Sequence, residues 1–190
     1  FFYPYLQSSL DLNKNNRPLS GYSAGMDLKY GISNNFTLDA TLIPDFGQVA
    51  FDEKELNLSP FEQKFDENRA FFTEGSQLFK KADTGGRSGG NFFYSRRIGD
   101  DINLNTDELI EDNEELMSYE TKANLVNSIK LTGTTNSGLS IGIINSIIKK
   151  AYANVKNLNT QEIKNKLIAP LTNYNVLSLS QTALNEYSTF

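Results

Sequence analysis

A chain of 190 residues with 38% hydrophobic content is long enough to bury one core, and its net charge of −5 argues against tracking a nucleic-acid backbone, which needs clustered Lys and Arg. The absence of His and Cys removes Cys/His zinc centres, Ser-His-Asp and Cys-His nucleophile systems and any disulfide framework. No run approaches the roughly 18 apolar residues of a membrane helix, so a membrane crossing would have to use strands.

Asn, Ser, Thr and Gly are abundant and Leu- or Ala-rich helical stretches are few, which leans the chain towards β. It opens Phe1-Phe2-Tyr3-Pro4-Tyr5 without a basic or apolar leader, so any targeting signal is expected to lie outside this stretch. Residues 2 to 12 are the first strand candidate. Ala24, Met26, Leu28 and Tyr30 then alternate with Gly25, Asp27 and Lys29, and Phe36, Leu38, Ala40 and Leu42 alternate with Thr37, Asp39 and Thr41. Gly31 to Asn35 supply turn chemistry between them, so the two runs predict a β-hairpin.

Residues 44 to 90 break this pattern, being rich in Phe and charge with no sustained alternation. Ser59-Pro60 has the form of an N-cap followed by proline at the first helical position, which predicts a short helix to about Asn68. Asp83 to Gly90 reads as a flexible loop. An insertion of this length is usually functional, folded on itself or disordered. Residues 91 to 97 are the next strand candidate, and 99 to 121 form an acidic loop with a helical turn or two.

A second hairpin pairs 125–134 with 139–148 across Thr135-Asn136-Ser137-Gly138, where Gly138 can take a positive φ. Ile129, Leu131, Leu139, Ile141, Ile143 and Ile147 share the apolar faces. Ser128, Lys130, Thr132, Ser140, Gly142 and Ser146 fall on the opposite ones, as a wet barrel lumen would require. Residues 171 to 182 and 184 to 190 complete about eight strands, each near the roughly 9–11 residues of a tilted membrane strand. Phe190 shares its face with Ser188 and Glu186, a poor membrane-facing terminus, so the barrel is expected to continue beyond it.

Six ordered blocks carry a family resemblance: Asp27-Leu28-Lys29-Tyr30-Gly31, Asn35-Phe36-Thr37-Leu38-Asp39, Pro44-Asp45-Phe46-Gly47-Gln48-Val49, Asn57-Leu58-Ser59-Pro60-Phe61-Glu62, Arg69-Ala70-Phe71-Phe72-Thr73-Glu74-Gly75 and Phe92-Phe93-Tyr94-Ser95-Arg96-Arg97-Ile98-Gly99. Ile129 to Gly133, Gly138 to Gly142 and Pro170 to Val176 continue the series. Together they resemble the large Bacteroidetes-type outer-membrane proteins whose barrel domain, of unknown function, often follows a family-nine carbohydrate-binding-module-like domain. The chain departs from that pattern at Ala70, where the family usually has Pro near Arg69 and Phe71.

The resemblance implies an all-β, antiparallel transmembrane β-barrel in the bacterial outer membrane, with 1–43 as first strands, 44–90 as an inserted, mostly irregular or short-helix segment and 91–190 as further strands. It also implies that this is a fragment of one larger barrel domain. The expected partners are outer-membrane lipid, other outer-membrane or surface proteins and a glycan reached through a domain outside this chain. The function expected is a transport channel or a membrane platform for a surface binding domain. The alternative is a soluble β-sandwich or calycin-like ligand-binding module, including a carbohydrate-binding one.

No catalytic residue, cofactor or metal is assigned, and the chain is expected not to be an enzyme. Asp83-Thr84-Gly85 matches the aspartic-protease tripeptide, but Lys80-Lys81 and Gly86-Arg87 flank it instead of the apolar strands that bury such a dyad. Gly85 to Gly90 resembles a phosphate loop but leads into Asn91-Phe92-Phe93, where a helix N-terminus is required. The acidic residues of 100–120 lack the spacing of a calcium loop. The residues of interest are therefore those of the inserted blocks: Asp45, Phe46, Gly47, Gln48, Glu62, Arg69, Phe71, Glu74, Gly75, Tyr94, Arg96 and Arg97. Arg forks suit bidentate pairing with carboxylates in a confined space. Residues 44 to 82 are accordingly expected to fold into the lumen, with Arg69 paired to Glu62 or Glu74.

Overall fold

The computed structural model describes residues 1–11, 19–43, 65–79 and 93–181. The alternating runs become β1 (Phe2–Asp11), β2 (Leu19–Ser33), β3 (Phe36–Leu42), β5 (Leu125–Thr134), β6 (Leu139–Ile148) and β9 (Thr172–Gln181), paired antiparallel in the order β1-β2-β3-β5-β6-β9. A second antiparallel sheet has the order β4-β7-β8, from β4 (Glu114–Tyr119), β7 (Ala151–Asn157) and β8 (Ile163–Ala169). The fold is all-β. The described sheets are open, with β1 and β9 at the edges of the larger one.

Register decides what each face of the large sheet carries. Tyr30, Leu38, Leu131, Ile143 and Leu177 stand side by side across five strands, and Phe2, Leu28, Ala40 and Ile129 form the adjoining row. This face is open: Tyr30 is 59% exposed, Leu177 65% and Leu179 58%. Among the described residues it holds no charged side chain. The opposite face carries Lys29, Asp39, Lys130 and Ile144 in one row and Thr41, Ser128, Ser146 and Tyr174 in another. There Lys130, Ser128, Ile144 and Ser146 are buried. Polar residues are covered and apolar ones exposed, the reverse of a sheet packed on a water-soluble core.

Segments 65–79 and 93–98 do the covering. They are nearly without regular structure: α1 spans Ala70–Thr73, and 3-10 turns occupy Ser76–Leu78 and Ser95–Arg97. Phe72, Ile98, Leu125 and Ile148 make the buried cluster between segment and sheet, with Phe71, Phe93, Ala123 and Tyr174 against it. Ile144 and Ile148 thus point to the covered face, so that face is not uniformly small and polar.

Several expectations are corrected. Residues 93–97 are not a strand, because the Ser95 and Ile98 carbonyls turn to accept from Arg69 and the Tyr94 hydroxyl engages Phe65. Residues 65–69 are not helical; the Glu67 carboxylate takes the Arg69 backbone N–H, a local bond that competes with a helix, and the helix starts at Ala70. Residues 59–64 and 184–190 lie outside the described residues. The acidic 99–121 stretch holds α2 (Thr106–Leu109) and, unexpectedly, β4. Strands β7 and β8 extend the β6–β9 pair past a break at Lys149-Lys150, and this longer ladder gives β4 its partner.

Asn34 and Asn35 close the first hairpin, and Thr135 to Gly138 the second, with Gly138 at φ 84°. Next to the first turn the Phe36 ring covers Gly133 on the neighbouring strand, an aromatic filling the gap a strand glycine leaves. A Cβ on Gly133 would lie 2.3 Å from Phe36 Cδ1 and 2.4 Å from the Asn35 carbonyl oxygen. Gly133→Val should therefore destabilise the protein by about 1–3 kcal/mol in urea unfolding. Gly31→Ala, which meets only the Ser33 carbonyl at 3.9 Å, should change stability by less than about 0.5 kcal/mol.

Candidate functional site

The covered face is organised around Lys130. Its side chain is 1% exposed, and Nζ lies 3.2 Å from Asp39 Oδ2 on the adjacent strand. The same ammonium donates to the carbonyl oxygens of Phe71 and, at 2.9 Å, Glu74, and stands 4.8 Å from the centre of the Phe71 ring. Three donors thus meet three acceptors, two of which belong to the segment laid over the sheet. One strand further, Lys29 lies 4.0 Å from Asp39 and pairs with the Glu74 carboxylate. Lys29, Asp39 and Lys130 form one row across β2, β3 and β5, with alternating charge.

Beyond Glu74 the segment follows the sheet towards the hairpin turns. Gly75 takes the left-handed conformation, φ 67°, and a Cβ there would lie 3.1 Å from Thr132 Cγ2. Ser178 of β9 donates to the Leu78 carbonyl. The Phe79 ring lies over Gly142, where a Cβ would come within 2.9 Å of it. An open cavity of about 460 Å³ remains between this segment and the turns, lined by hydroxyl and amide side chains including Thr37, Thr132, Gln77 and Asn136, with no charged group among the described residues.

A second clip holds the start of the segment. The Arg69 guanidinium, 6% exposed, forks onto Glu67 at 2.6 and 2.8 Å and also donates to the carbonyls of Ser95 and Ile98. Its Cζ stands 4.4 Å over the Phe72 ring. Ser95 Oγ donates to the same carboxylate at 2.6 Å. Burial alone would push the Glu67 carboxyl up. The hydrogen bonds from Arg69 and Ser95, with the guanidinium charge, outweigh burial and hold it below the usual carboxylate range. The Tyr94 hydroxyl receives the Phe65 N–H at 2.8 Å.

Of the residues picked out by sequence, Arg69, Phe71, Glu74, Gly75 and Tyr94 come together in this covering layer. Arg96 is half-buried and Arg97 exposed in the adjoining 3-10 turn. Asp45, Phe46, Gly47, Gln48 and Glu62 lie outside the described residues. The carboxylate on Arg69 among the described residues is Glu67, two residues away, while Glu74 pairs with Lys29; Glu62, the other expected partner, lies outside the described residues. Lys29, Asp39, Glu67 and Lys130 escaped the sequence reading. The signal of Lys29, Asp39 and Lys130 is a charge on the small, polar face of three strands, which becomes a row only once the register is known; Glu67 lies in the irregular segment above them.

Two outcomes follow for stability. Lys130→Met should cost about 3 kcal/mol by leaving buried Asp39 with only the more distant Lys29, and adding Asp39→Leu should recover part of that loss in a double-mutant cycle. Arg69→Ala should cost about 3 kcal/mol by taking its cation from Glu67. Because Glu67 titrates below the usual range when folded, its contribution is complete above the ordinary carboxylate value and lost as pH falls through the lowered one. Glu67→Gln should flatten that acid limb in unfolding measured against pH.

Neither a curated protein nor a solved structure matches the chain. A family profile described as Domain of unknown function (DUF5916) matches residues 1–189, and the chain belongs to that family.

Proposed function

We propose that this chain forms part of an integral outer-membrane β-barrel whose lumen is occupied by residues 65–79, and that it serves as a membrane platform or gated channel. The observation that carries the reading is the inversion of the large sheet, with an uncharged apolar face open to the outside and a buried cation on the face beneath the segment. Such inversion suits lipid on one side and a filled lumen on the other. The resemblance to Bacteroidetes-type outer-membrane proteins points the same way.

The stagger of the turns supports it further. Ser33 opposite Phe36 closes the first turn, Thr134 opposite Ser140 borders the second, and Phe36 stands opposite Gly133. Perpendicular to the strands, the second turn is therefore displaced by between two and three residues, ~8 Å at ~3.3 Å each, over two strand spacings of ~4.8 Å. If both turns rest at one level, the strands tilt by roughly 40°, within the range of barrels of this kind. Edges at β1 and β9 leave room for more strands on either side. A filled lumen favours a platform over a permanently open pore.

The rival is a soluble sandwich in which another sheet covers the apolar face. Expression in a bacterium that targets the protein to its envelope separates the two. The barrel reading expects the chain to stay in the outer-membrane fraction through a urea wash, to need detergent for extraction and to change electrophoretic mobility on boiling. A monodisperse aqueous protein without detergent would remove the barrel reading.

A further inference from the structure

We infer that Asn145, Asn173 and Asn175 mark the level of the outer-leaflet headgroups, so that the β4-β7-β8 sheet stands outside the membrane. This rests on the barrel reading above and adds to it a boundary, an orientation and a polar headgroup partner for a specific amide cluster.

The three asparagines lie on the lipid side of β6 and β9, where the neighbouring outward residues towards the turns are Ile141, Ile143, Leu177 and Leu179. Asn145 Nδ2 donates to Oδ1 of both Asn173 and Asn175 at 2.7 Å. That arrangement uses the donors of one amide and leaves the NH₂ groups of Asn173 and Asn175 open to the surroundings. Amide donors without partners are costly in hydrocarbon and well served by phosphate, ester and sugar oxygens.

At a tilt of ~40° the cluster straddles the upper edge of the apolar band. Asn145 lies ~26 Å along β6 from the centre of its turn, ~22 Å along the membrane normal at that tilt with the rise over the half strand spacing from turn centre to β6 included. Stepping to β9 raises the level by ~3 Å, which puts Asn175 at ~25 Å and Asn173 at ~30 Å, close to the about 25 Å height of the apolar band in such barrels. Asn127 of β5, on the same face with Ile147 between it and Asn173, falls at ~24 Å by the same reckoning. On β3 the apolar run reaches one row further, to Leu42, and on β2 it passes Met26 to Ala24 and Tyr22. A level boundary crossing tilted strands produces that step.

Charge resumes beyond the belt. Lys149 and Lys150 are exposed immediately after β6, Lys149 lies 3.2 Å from Glu120, and Lys166 pairs with Glu114 in the second sheet. Lys166 also donates to the Leu109 carbonyl, which ties the acidic stretch to the β7–β8 hairpin. The hydrogen bond from Lys166 holds the Glu114 carboxyl below its usual range. Short turns at the opposite end fit the periplasmic side of such barrels.

The chain contains no Trp, so single-Trp variants report depth without background. Leu179→Trp, Asn175→Trp, Asn173→Trp and Leu167→Trp, each in the full chain, are reconstituted in phosphatidylcholine vesicles brominated near either the carbonyl or the methyl end of the acyl chains. Leu179→Trp should be quenched more by methyl-end bromine, both asparagine positions more by carbonyl-end bromine, and Leu167→Trp by neither. Asparagine positions sharing the deep pattern of Leu179→Trp would overturn the boundary while leaving the barrel intact, and so would quenching at Leu167→Trp. No quenching at Leu179→Trp would bring down the barrel reading and this inference with it.

Discussion

A desolvated ammonium must find an acceptor for every N–H, and Lys130 finds its three only because a strand and a covering segment converge on it. Asp39 comes from the neighbouring strand. The Phe71 and Glu74 carbonyls come from the end of α1, where unpaired carbonyl groups favour a cation. Removing the segment would leave the lysine with one acid on an open sheet, and removing the lysine would leave two carbonyls unserved and that acid with only Lys29, 4.0 Å away. The charge row Lys29, Asp39 and Lys130 therefore joins the lay of the segment to the register of three strands.

The small residues of the covered face make this approach possible. Gly142 admits the Phe79 ring, Ser178 reaches the Leu78 carbonyl, and Ser128 and Ser146, both fully buried, bond to each other. Larger side chains in these places would hold the segment off the sheet. The small polar face is thus, over much of its described extent, a seat for protein. Solvent reaches this face at the hydroxyl- and amide-lined cavity near the turns and at Asp27 and Lys29 of β2.

Strands with alternation on one side only were legible in the sequence. Met26, Leu28 and Tyr30, or Phe36, Leu38 and Ala40, announce a period of two, and Asn34-Asn35 and Gly138 announce the turns. β6 was legible in extent but not in full meaning, because Ile144 and Ile148 put apolar residues on its second face, and only the segment above explains them. β4 was hidden for a different reason: Leu116, Met117 and Tyr119 do not alternate with polar residues, and its ladder depends on β7, which follows it by more than thirty residues. The Glu67–Arg69 pair was missed because this stretch was expected to be helical to about Asn68, and residues two apart do not face each other on a helix.

Register links the two faces energetically. Sliding β3 by one residue against β5 would carry Asp39 to the outer face and Leu38 or Ala40 to the inner one, exchanging every side chain of the strand. In water the outer face alone would resist this weakly, since an exposed apolar row gains nothing from being exposed. With lipid outside, the slip would bring a carboxylate into hydrocarbon and take Lys130's counter-ion away in the same step. The inversion of the sheet and the burial of Lys130 therefore reinforce one another in a membrane and conflict in water. That asymmetry gives the outer face a physical role which a soluble fold could supply only with a second sheet packed over it.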